Sequence, residues 1–217
     1  MKKKLLIFDL DGTIADTIFT IRDAVNMCME HFGFDALDTE TVRRNVGNGV
    51  KALIEGCAPA EVVKDAERFE KTLAYFRECY KITHDQIDGC YDGLEAVIYK
   101  LYARGYTLAV LSNKPDPLVK SIIKKLFDDG VFKIAQGQTE LPRKPDPTVP
   151  LMIADELGFG ADETFYIGDS EVDVLTAKNA GMHSIAVSWG FRDREMLVEA
   201  APELMIDEPE RLLEIFG

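Results

Sequence analysis

The sequence has no long apolar run, and it contains little cysteine and histidine. No stretch approaches the ~20 apolar residues of a membrane-spanning helix, and the N-terminal lysines lead into a short apolar segment rather than into a signal peptide. We therefore expect no membrane association and a cytoplasmic location. The cysteines are widely separated and form no Cys-x-x-Cys pair, which favours buried free thiols over a redox or zinc role. The histidines are scattered and make no recognisable metal cluster.

Positive charge is also scarce, because 25 basic residues face 38 acidic ones and the formal net charge is −13. The acidic residues are spread along the chain, which disfavours binding to nucleic acid or to an anionic membrane. A small anionic substrate would have to be attracted by local positive charge or by a metal ion. At 217 residues the chain can form one large domain or a domain with an insertion, and we expect a monomer or a weak homodimer.

Short apolar segments alternate with helical patterns along most of the chain. The segments that predict strands are residues 5–8, 107–111, 131–135, 164–167 and 184–187. This alternation predicts an α/β fold with a doubly wound, Rossmann-like and mostly parallel sheet. Right-handed crossovers would bring the carboxyl ends of these strands to one edge of the sheet, where ligands bind in such folds.

The interval between residues 13 and 107 is much longer than one strand–helix–strand crossover requires. Within it, apolar residues recur at spacings of three and four over 18–32 and again over 62–80. This periodicity predicts two amphipathic helices. A shorter helical stretch is expected within 39–57.

These helices predict a domain organisation with one insertion. We expect an α/β core formed by residues 1–15 and 84–217, with an α-helical cap subdomain over 16–83 inserted into it. Because the insertion follows the first strand and its polar loop, it would emerge beside the ligand-binding edge and can act as a lid.

Two carboxylates follow the first predicted strand in the segment Phe8-Asp9-Leu10-Asp11-Gly12-Thr13. Asp9 stands at the expected ligand-binding edge, and Gly12 allows the backbone to turn close to a small ligand. A carboxylate is ionised at neutral pH and needs no base before it attacks, while a second one, Asp11, can move a proton. The spacing therefore favours a nucleophilic aspartate beside an acid/base partner, although Asp and Gly also occur in ordinary turns.

Three more polar clusters follow other predicted strands. They are Ser112-Asn113-Lys114, Arg143-Lys144-Pro145-Asp146-Pro147 and Gly168-Asp169-Ser170-Glu171-Val172-Asp173. Each cluster alone is typical of a turn, a surface loop or a helix start. Together they would gather hydroxyl, amide, ammonium and carboxylate groups at one edge of the sheet, and the hydroxyl and amide groups there can bind phosphoryl oxygens.

In this order, the motifs resemble those of the haloacid dehalogenase superfamily, and specifically its phosphatases with a helical cap inserted after the first strand. The motif residues are Asp9-Leu10-Asp11-Gly12-Thr13, Ser112, Lys144, and Gly168-Asp169 with Asp173. Within the superfamily, the segments most similar to the phosphoglycolate phosphatase group include Val46-Gly47-Asn48-Gly49 and Ser112-Asn113-Lys114. The resemblance implies a Mg²⁺-dependent phosphomonoester hydrolase that acts on a small phosphorylated metabolite through an aspartyl-phosphate intermediate.

The resemblance also implies a role for each motif residue. Asp9 is the expected nucleophile and Asp11 the expected acid/base, while Lys144 balances the charge of Asp9 and of the transition state. Mg²⁺ prefers hard oxygen ligands, and those implied are Asp9, the backbone carbonyl of Asp11, Asp169 and Asp173. The residues expected to hold phosphoryl oxygens are Thr13, Ser112, Asn113 and Lys144.

Several related reactions use the same core residues, since these touch only the phosphoryl group. A β-phosphoglucomutase-type isomerase passes the phosphoryl group back to a sugar instead of to water, and a pyrophosphatase or nucleotidase differs in the leaving group. Dehalogenation is disfavoured because dehalogenases of this superfamily are expected to lack Asp11 and the metal site. A non-enzymatic, receiver-like role is disfavoured because Asp11 shortens the life of a phosphoaspartate and a receiver has no place for the helical insertion.

The cap is expected to recognise the leaving group. Arg43, Arg44, Asn48 and Lys51 flank a glycine turn within it, and Arg43 and Asn48 are the candidate substrate-binding residues among them. An arginine there can reach a carboxylate such as that of phosphoglycolate. Solvated helix charges around a glycine turn are the alternative explanation.

Overall fold

The computed structural model describes residues 4–84, 86–87 and 89–217. Internal contacts divide the chain into two compact units. The first, called the core unit, consists of Met1–Asp16 and Gly89–Gly217, and the second, called the helical unit, consists of Thr17–Asp88. The role of the helical unit as a cap stays a prediction. Among the described residues, no helix is both long enough and apolar enough to cross a membrane.

A six-stranded, wholly parallel sheet forms the centre of the core unit. Its strands are β1 (Leu5–Phe8), β2 (Thr107–Pro115), β3 (Phe132–Gln138), β4 (Thr164–Gly168), β5 (His183–Val187) and β6 (Leu204–Ile206). They lie in the order β3-β2-β1-β4-β5-β6, which confirms the predicted doubly wound, Rossmann-like α/β class. The strand order reverses direction at β1, and doubly wound folds bind their ligands at the carboxyl ends of the strands at such a switch point.

Several strand bounds differ from the sequence prediction: β3, for example, runs to Gln138 instead of residue 135, and the largest differences concern β2 and β6. β2 continues past the predicted end at residue 111, because Pro115 still pairs with Gln138 of β3 after a register shift. β6 was not predicted, because its apolar run Leu204–Ile206 has only three residues, which is too short to indicate a strand. The longer β2 places residues 112–114 inside the buried end of a strand.

The helical unit contains the helices that follow β1. They are α1 (Ile18–His31), α2 (Thr39–Asn45), α3 (Gly49–Cys57), α4 (Ala60–Lys64) and α5 (Ala66–Thr83). The two predicted amphipathic helices are α1 and α5, which pack against each other. The predicted stretch 39–57 is divided because Gly47, with a φ of 112°, lies between α2 and α3. The predicted second helix is also divided, since the Asp65 carboxylate caps α5 by accepting hydrogen bonds from the N–H groups of Glu67 and Arg68.

Further helices cover the sheet of the core unit. They are α6 (Leu94–Ala103), α7 (Asp116–Leu126), α8 (Thr148–Glu156), α9 (Glu171–Ala180), α10 (Arg194–Glu199) and α11 (Arg211–Ile215). All four residues of β1 are buried, as expected for a central strand covered on both faces. Leu5 and Ile7 belong to an apolar cluster that includes Ala109 of β2 and Tyr166 of β4. This packing fixes the position of the loop that follows β1.

The cysteines are free thiols, in agreement with their spacing in the sequence. Burial raises the pKa of Cys57 to about 11 and the pKa of Cys28 and of Cys90 to about 12. Thiols with such pKa values hold little thiolate at neutral pH and are weak nucleophiles. They are therefore poor candidates for the chemistry of this protein.

Candidate active site

The polar loop after β1 lies at the switch point of the sheet. Asp9 extends the strand, since its N–H donates to the Ile167 carbonyl oxygen of β4 at 2.9 Å. Its carboxylate is buried, and Oδ1 accepts a 2.7 Å hydrogen bond from the Leu10 N–H. Gly12 then turns the chain with a φ of 83°, a conformation that residues with a Cβ rarely adopt. A Cβ on Gly12 would also lie 2.3 Å from Asp169 Oδ2, so only glycine permits this close approach.

Asp169, which follows β4, is held from two sides. Thr13 Oγ1 donates to its Oδ1 at 3.1 Å, and the Phe191 N–H donates to its Oδ2 at 2.7 Å. Phe191 belongs to the segment after β5, in which Trp189 Nε1 donates to the Thr13 carbonyl oxygen at 3.1 Å. A Cβ on the intervening Gly190 would come within 2.2 Å of Asp169 Cβ. This segment therefore fixes both the Asp169 carboxylate and the loop after β1.

Lys144 supplies positive charge at the centre of the site. Its Nζ lies 3.0 Å from Asp9 Oδ1 and 2.7 Å from Asp173 Oδ1, and its side chain is buried. The Lys144 backbone is fixed by Asn113, whose Oδ1 accepts from the Lys144 N–H at 3.0 Å and whose Nδ2 donates to the Lys144 carbonyl oxygen at 3.2 Å. Asn113 thus positions the Lys144 loop, and its contact with substrate stays a prediction.

Asp173 lies in the first turn of α9. The Ser170 hydroxyl donates to Asp173 Oδ2 at 2.6 Å, and the Ser170 N–H donates to the same oxygen at 3.1 Å. Ser170 and Asp173 form a capping box, which fixes the start of α9. Since Oδ2 is held in this way, Oδ1 faces Lys144. The carboxylate therefore has a fixed orientation toward the site.

Three buried carboxylates share this small volume. Asp9, Asp169 and Asp173 each contribute an oxygen, and these oxygens lie within 4.8 Å of one another. Burial raises the pKa of Asp9 to about 7 and of Asp169 to about 8; the neighbouring carboxylates add to both shifts, and Lys144 opposes the shift of Asp9. Burial also disfavours the Lys144 ammonium, but Asp173 and Asp9 hold the pKa of Lys144 well above its usual value. One ammonium does not balance three carboxylates, so this donor set fits a hard divalent cation.

A second lysine pairs with the other carboxylate of the loop. Lys114 Nζ lies 2.8 Å from Asp11 Oδ1, and the Lys114 side chain is wholly buried. Ser112, two residues earlier on β2, is also buried, and its Oγ accepts a 3.4 Å hydrogen bond from the Lys114 N–H. The end of β2 thus brings a hydroxyl and an ammonium to the same edge of the sheet as Asp11.

A comparison with protein families identifies the family of the chain. The model of the family described as haloacid dehalogenase-like hydrolase matches residues 6–187. The chain belongs to the haloacid dehalogenase-like hydrolases. The matched region runs from β1 to β5 and includes all the predicted residues of the core motifs.

Relatives of this haloacid dehalogenase-like hydrolase carry the name phosphoglycolate phosphatase. Phosphoglycolate phosphatase 1 of Pseudomonas aeruginosa is 31% identical over 214 residues, which is 97% of this chain and 78% of that protein. The Aliivibrio fischeri phosphoglycolate phosphatase is 29% identical over 219 residues, 99% of this chain and 96% of that protein. A crystal structure from Lactobacillus delbrueckii subsp. bulgaricus, provisionally assigned as a phosphoglycolate phosphatase, has a TM-score of 0.89 and 31% identity, covering 99% of this chain and 98% of that chain. These findings confirm the prediction of an enzyme, a phosphatase.

Two predicted substrate-binding residues of this hydrolase lie in the helical unit. Arg43 Nε donates to Glu40 Oε2 at 2.8 Å, and the neighbouring Arg44 Nε donates to Glu40 Oε1 at 2.9 Å. Asn48 immediately precedes α3. The role of Arg43 and of Asn48 in binding substrate stays a prediction.

The sequence predictions assigned no role to two parts of the hydrolase site: Lys114, which was named only as a member of a polar cluster, and the segment 188–192 after β5. Their position in the sequence could have indicated such a role, because Lys114 and the segment 188–192 both follow predicted strands, and the carboxyl ends of those strands are where the motifs are expected to meet. Arg192 is buried, and its Nε donates to Glu171 Oε2 at 2.9 Å, which ties the segment to α9. Residues outside the four motifs therefore hold the motif residues in place.

Proposed function

We propose that this phosphatase is Mg²⁺-dependent and hydrolyses a small phosphomonoester, phosphoglycolate or a close relative, through an aspartyl phosphate on Asp9. The observation that carries the proposal is the placement of the buried Asp9 carboxylate. It lies 3.0 Å from the Lys144 ammonium and within 4.8 Å of carboxylate oxygens of Asp169 and Asp173. A carboxylate held beside both the Lys144 ammonium and two further carboxylates that can bind a metal ion suits attack on a phosphorylated substrate.

The donor set determines which metal fits. Carboxylate oxygens are hard ligands, and Mg²⁺ takes a few of them together with water and substrate oxygens. The residues that would hold it are Asp9, Asp169 and Asp173 through their side chains and Asp11 through its backbone carbonyl. When bound, Mg²⁺ would neutralise the repulsion between these carboxylates and an incoming phosphate dianion.

The protein's own groups account for the bond changes. An Asp9 oxygen forms a bond to phosphorus as the ester P–O bond breaks, and Asp11, which enters the step as the carboxylic acid, donates its proton to the leaving alkoxide and becomes a carboxylate. Asp11 then accepts a proton from the water that attacks the aspartyl phosphate, which releases inorganic phosphate and restores Asp9. Lys144 holds Asp9 in place and balances the negative charge of the transferring group.

Replacing Gly190 tests the support of the metal site. We expect Gly190→Ala to raise the Mg²⁺ concentration needed for half-maximal activity by about 10-fold or more, because the added Cβ would collide with Asp169 Cβ at 2.2 Å and with the Gly12 carbonyl oxygen at 2.3 Å. The measurements are a Mg²⁺ titration of activity and the rise in Tm on adding Mg²⁺. Gly158→Ala is the control, since nothing lies within 4 Å of its Cβ and only its positive φ of 78° is strained. An unchanged Mg²⁺ requirement in Gly190→Ala would argue against this support.

The substrate assignment rests on the names of the relatives and on the carboxylate that the proposed leaving group, glycolate, carries. Glycolate carries a carboxylate that an arginine can bind through two hydrogen bonds, and Arg43 is the candidate residue. A cytoplasmic location and a monomeric or weakly dimeric state complete the proposal.

Ranking substrates by kcat/KM tests the function. The panel contains phosphoglycolate, p-nitrophenyl phosphate, β-glucose 1-phosphate, inorganic pyrophosphate and a nucleoside monophosphate, each with Mg²⁺ or with chelator. We expect phosphoglycolate to rank first, with activity lost in chelator and restored by Mg²⁺. Conversion of β-glucose 1-phosphate to glucose 6-phosphate would instead support the isomerase, and preference for pyrophosphate or the nucleotide would support those hydrolases.

Two neighbouring arginines provide a matched test of specificity. We expect Arg43→Met to lower kcat/KM for phosphoglycolate by about 10-fold or more while p-nitrophenyl phosphate is unaffected, because only the first substrate offers a carboxylate. Arg44→Met is the control, since Arg44 also pairs with Glu40 but its side chain is 74% exposed. Equal effects of the two substitutions would remove Arg43 from the proposal.

A further inference from the structure

Lys114 has no part in the bond changes described above, although it is buried beside them. Its side chain is 0% exposed, and its Nζ lies 2.8 Å from Asp11 Oδ1. Burying an ammonium costs free energy unless an opposite charge lies close by. The ion pair with Asp11 offsets this cost, which ties the placement of the two side chains to each other.

The backbone at Lys114 is fixed by the neighbouring strand. A Cβ on Gly137 of β3 would lie 2.6 Å from the Lys114 carbonyl oxygen and 2.4 Å from Asp116 Cα, so β3 packs directly against this part of the chain. The Gly137 N–H also donates to Asp116 Oδ1 at 3.0 Å. Since β3 packs against the backbone around Lys114, the backbone from which this side chain extends has little freedom, and its ammonium can orient the Asp11 carboxylate.

The two buried lysines serve different carboxylates. Lys144 contacts Asp9 and Asp173, whereas Lys114 contacts Asp11, whose side chain is 11% exposed. We propose that Lys114 is a positioning residue that holds the Asp11 carboxylate in the orientation needed for proton transfer to and from the reacting oxygen. This inference rests on the proposed function, in which Asp11 is the acid and base. Proton transfer depends on orientation, so a carboxylate without this contact would spend less time in the productive position.

Kinetics of Lys114→Met test the proposal. We expect kcat to fall by about 10- to 100-fold with KM changed by less than about 3-fold, because proton transfer is impaired while phosphate binding is intact. The loss of kcat/KM should be larger for phosphoglycolate than for p-nitrophenyl phosphate, since an alkoxide leaving group needs the acid more than a phenolate does. A general loss of structure would lower both equally. Lys120→Met is the control, because Lys120 pairs with Asp116 at 2.7 Å but is 59% exposed, and its kcat should be unchanged.

A double substitution shows whether Lys114 acts through Asp11. In an Asp11→Asn background, Lys114→Met should cause no further loss of kcat. Losses that multiply, or a raised KM with normal kcat, would overturn the proposal, the second by indicating direct contact with substrate. If circular dichroism shows that Lys114→Met is unfolded, Lys114→Gln takes its place, since its amide can still donate one hydrogen bond, and a smaller loss of kcat is expected. A wild-type kcat in either folded variant overturns the proposal.

The same measurements separate this inference from the proposed function. If Asp11→Asn is impaired but Lys114→Met is not, the proposed function stands and the role of Lys114 is wrong. If Asp11→Asn retains the wild-type kcat, both fail, because Asp11 is then not the acid and base.

Discussion

Asp9→Asn is expected to abolish phosphate release while the protein remains folded. The amide nitrogen and oxygen of asparagine are poor nucleophiles, so no aspartyl phosphate can form, and kcat should fall by at least about 10⁴-fold. Lys144 keeps its 2.7 Å contact with Asp173, so the buried ammonium retains one carboxylate partner. The measurement is release of inorganic phosphate from p-nitrophenyl phosphate with Mg²⁺, together with circular dichroism to check the fold.

Trapping the intermediate makes this test more direct. Wild-type enzyme quenched in acid during turnover should carry one phosphoryl group on the peptide that contains Asp9, and Asp9→Asn should carry none. Asp11→Asn is the comparison variant, because it keeps the nucleophile and is expected to slow both formation and hydrolysis of the intermediate. A fully active Asp9→Asn enzyme would refute covalent catalysis.

The sheet could be predicted because its inner strands are short, continuous apolar runs. Residues 5–8 are all buried, so the sequence carries no polar interruption there. β6 was not predicted because its apolar run has only three residues, which is shorter than the runs that indicate a strand. The end of β2 was not predicted because Ser112, Asn113 and Lys114 are polar residues, although they lie in a buried part of the strand. Their burial reflects the site they form, which local pattern cannot reveal.

The motif residues could be predicted from their side-chain chemistry and their order along the chain, whereas the contacts that hold them in place could not. A carboxylate pair or a lysine at a strand end is visible in the sequence itself. The contact of Trp189 with Thr13 joins residues 176 positions apart, and that of Lys114 with Asp11 joins residues 103 apart. Neither pair has a periodic pattern, so only the fold brings the partners together.

Of the substitutions described, Lys144→Met is expected to lower the free energy of unfolding most. The ammonium lies between Asp9 and Asp173, and deleting one partner of a buried ion pair costs about 3–5 kcal/mol because the remaining charges are uncompensated. Activity should also fall by about 10²- to 10³-fold or more, since charge on the transferring group loses its fixed counter-charge. The measurements are urea unfolding of metal-free protein and kcat with Mg²⁺.

The stability loss should depend on pH in a direction that the pKa values determine. In the folded, metal-free protein the pKa of Asp9 is about 7 and of Asp169 about 8, above the usual ~4 of an unfolded aspartate. The folded state therefore binds more protons than the unfolded chain in this range, so the free energy of unfolding falls as pH rises from about 4 to about 8. Removing Lys144 raises the pKa of Asp9 further, which extends the fall to higher pH, and the deficit of the variant should be larger at pH 8 than at pH 5.

An exposed ion pair provides the control for Lys144→Met. Lys71 lies 2.7 Å from Glu67 on α5 and is 66% exposed, so Lys71→Met removes the same group from a solvated pair and should cost less than about 1 kcal/mol at either pH. If Lys144→Met unfolded at the same urea concentration as the wild type at pH 8, Lys144 would not be what holds the carboxylates together. Protonation of the carboxylates alone would then relieve their mutual repulsion, and the free energy of unfolding would not depend on Lys144.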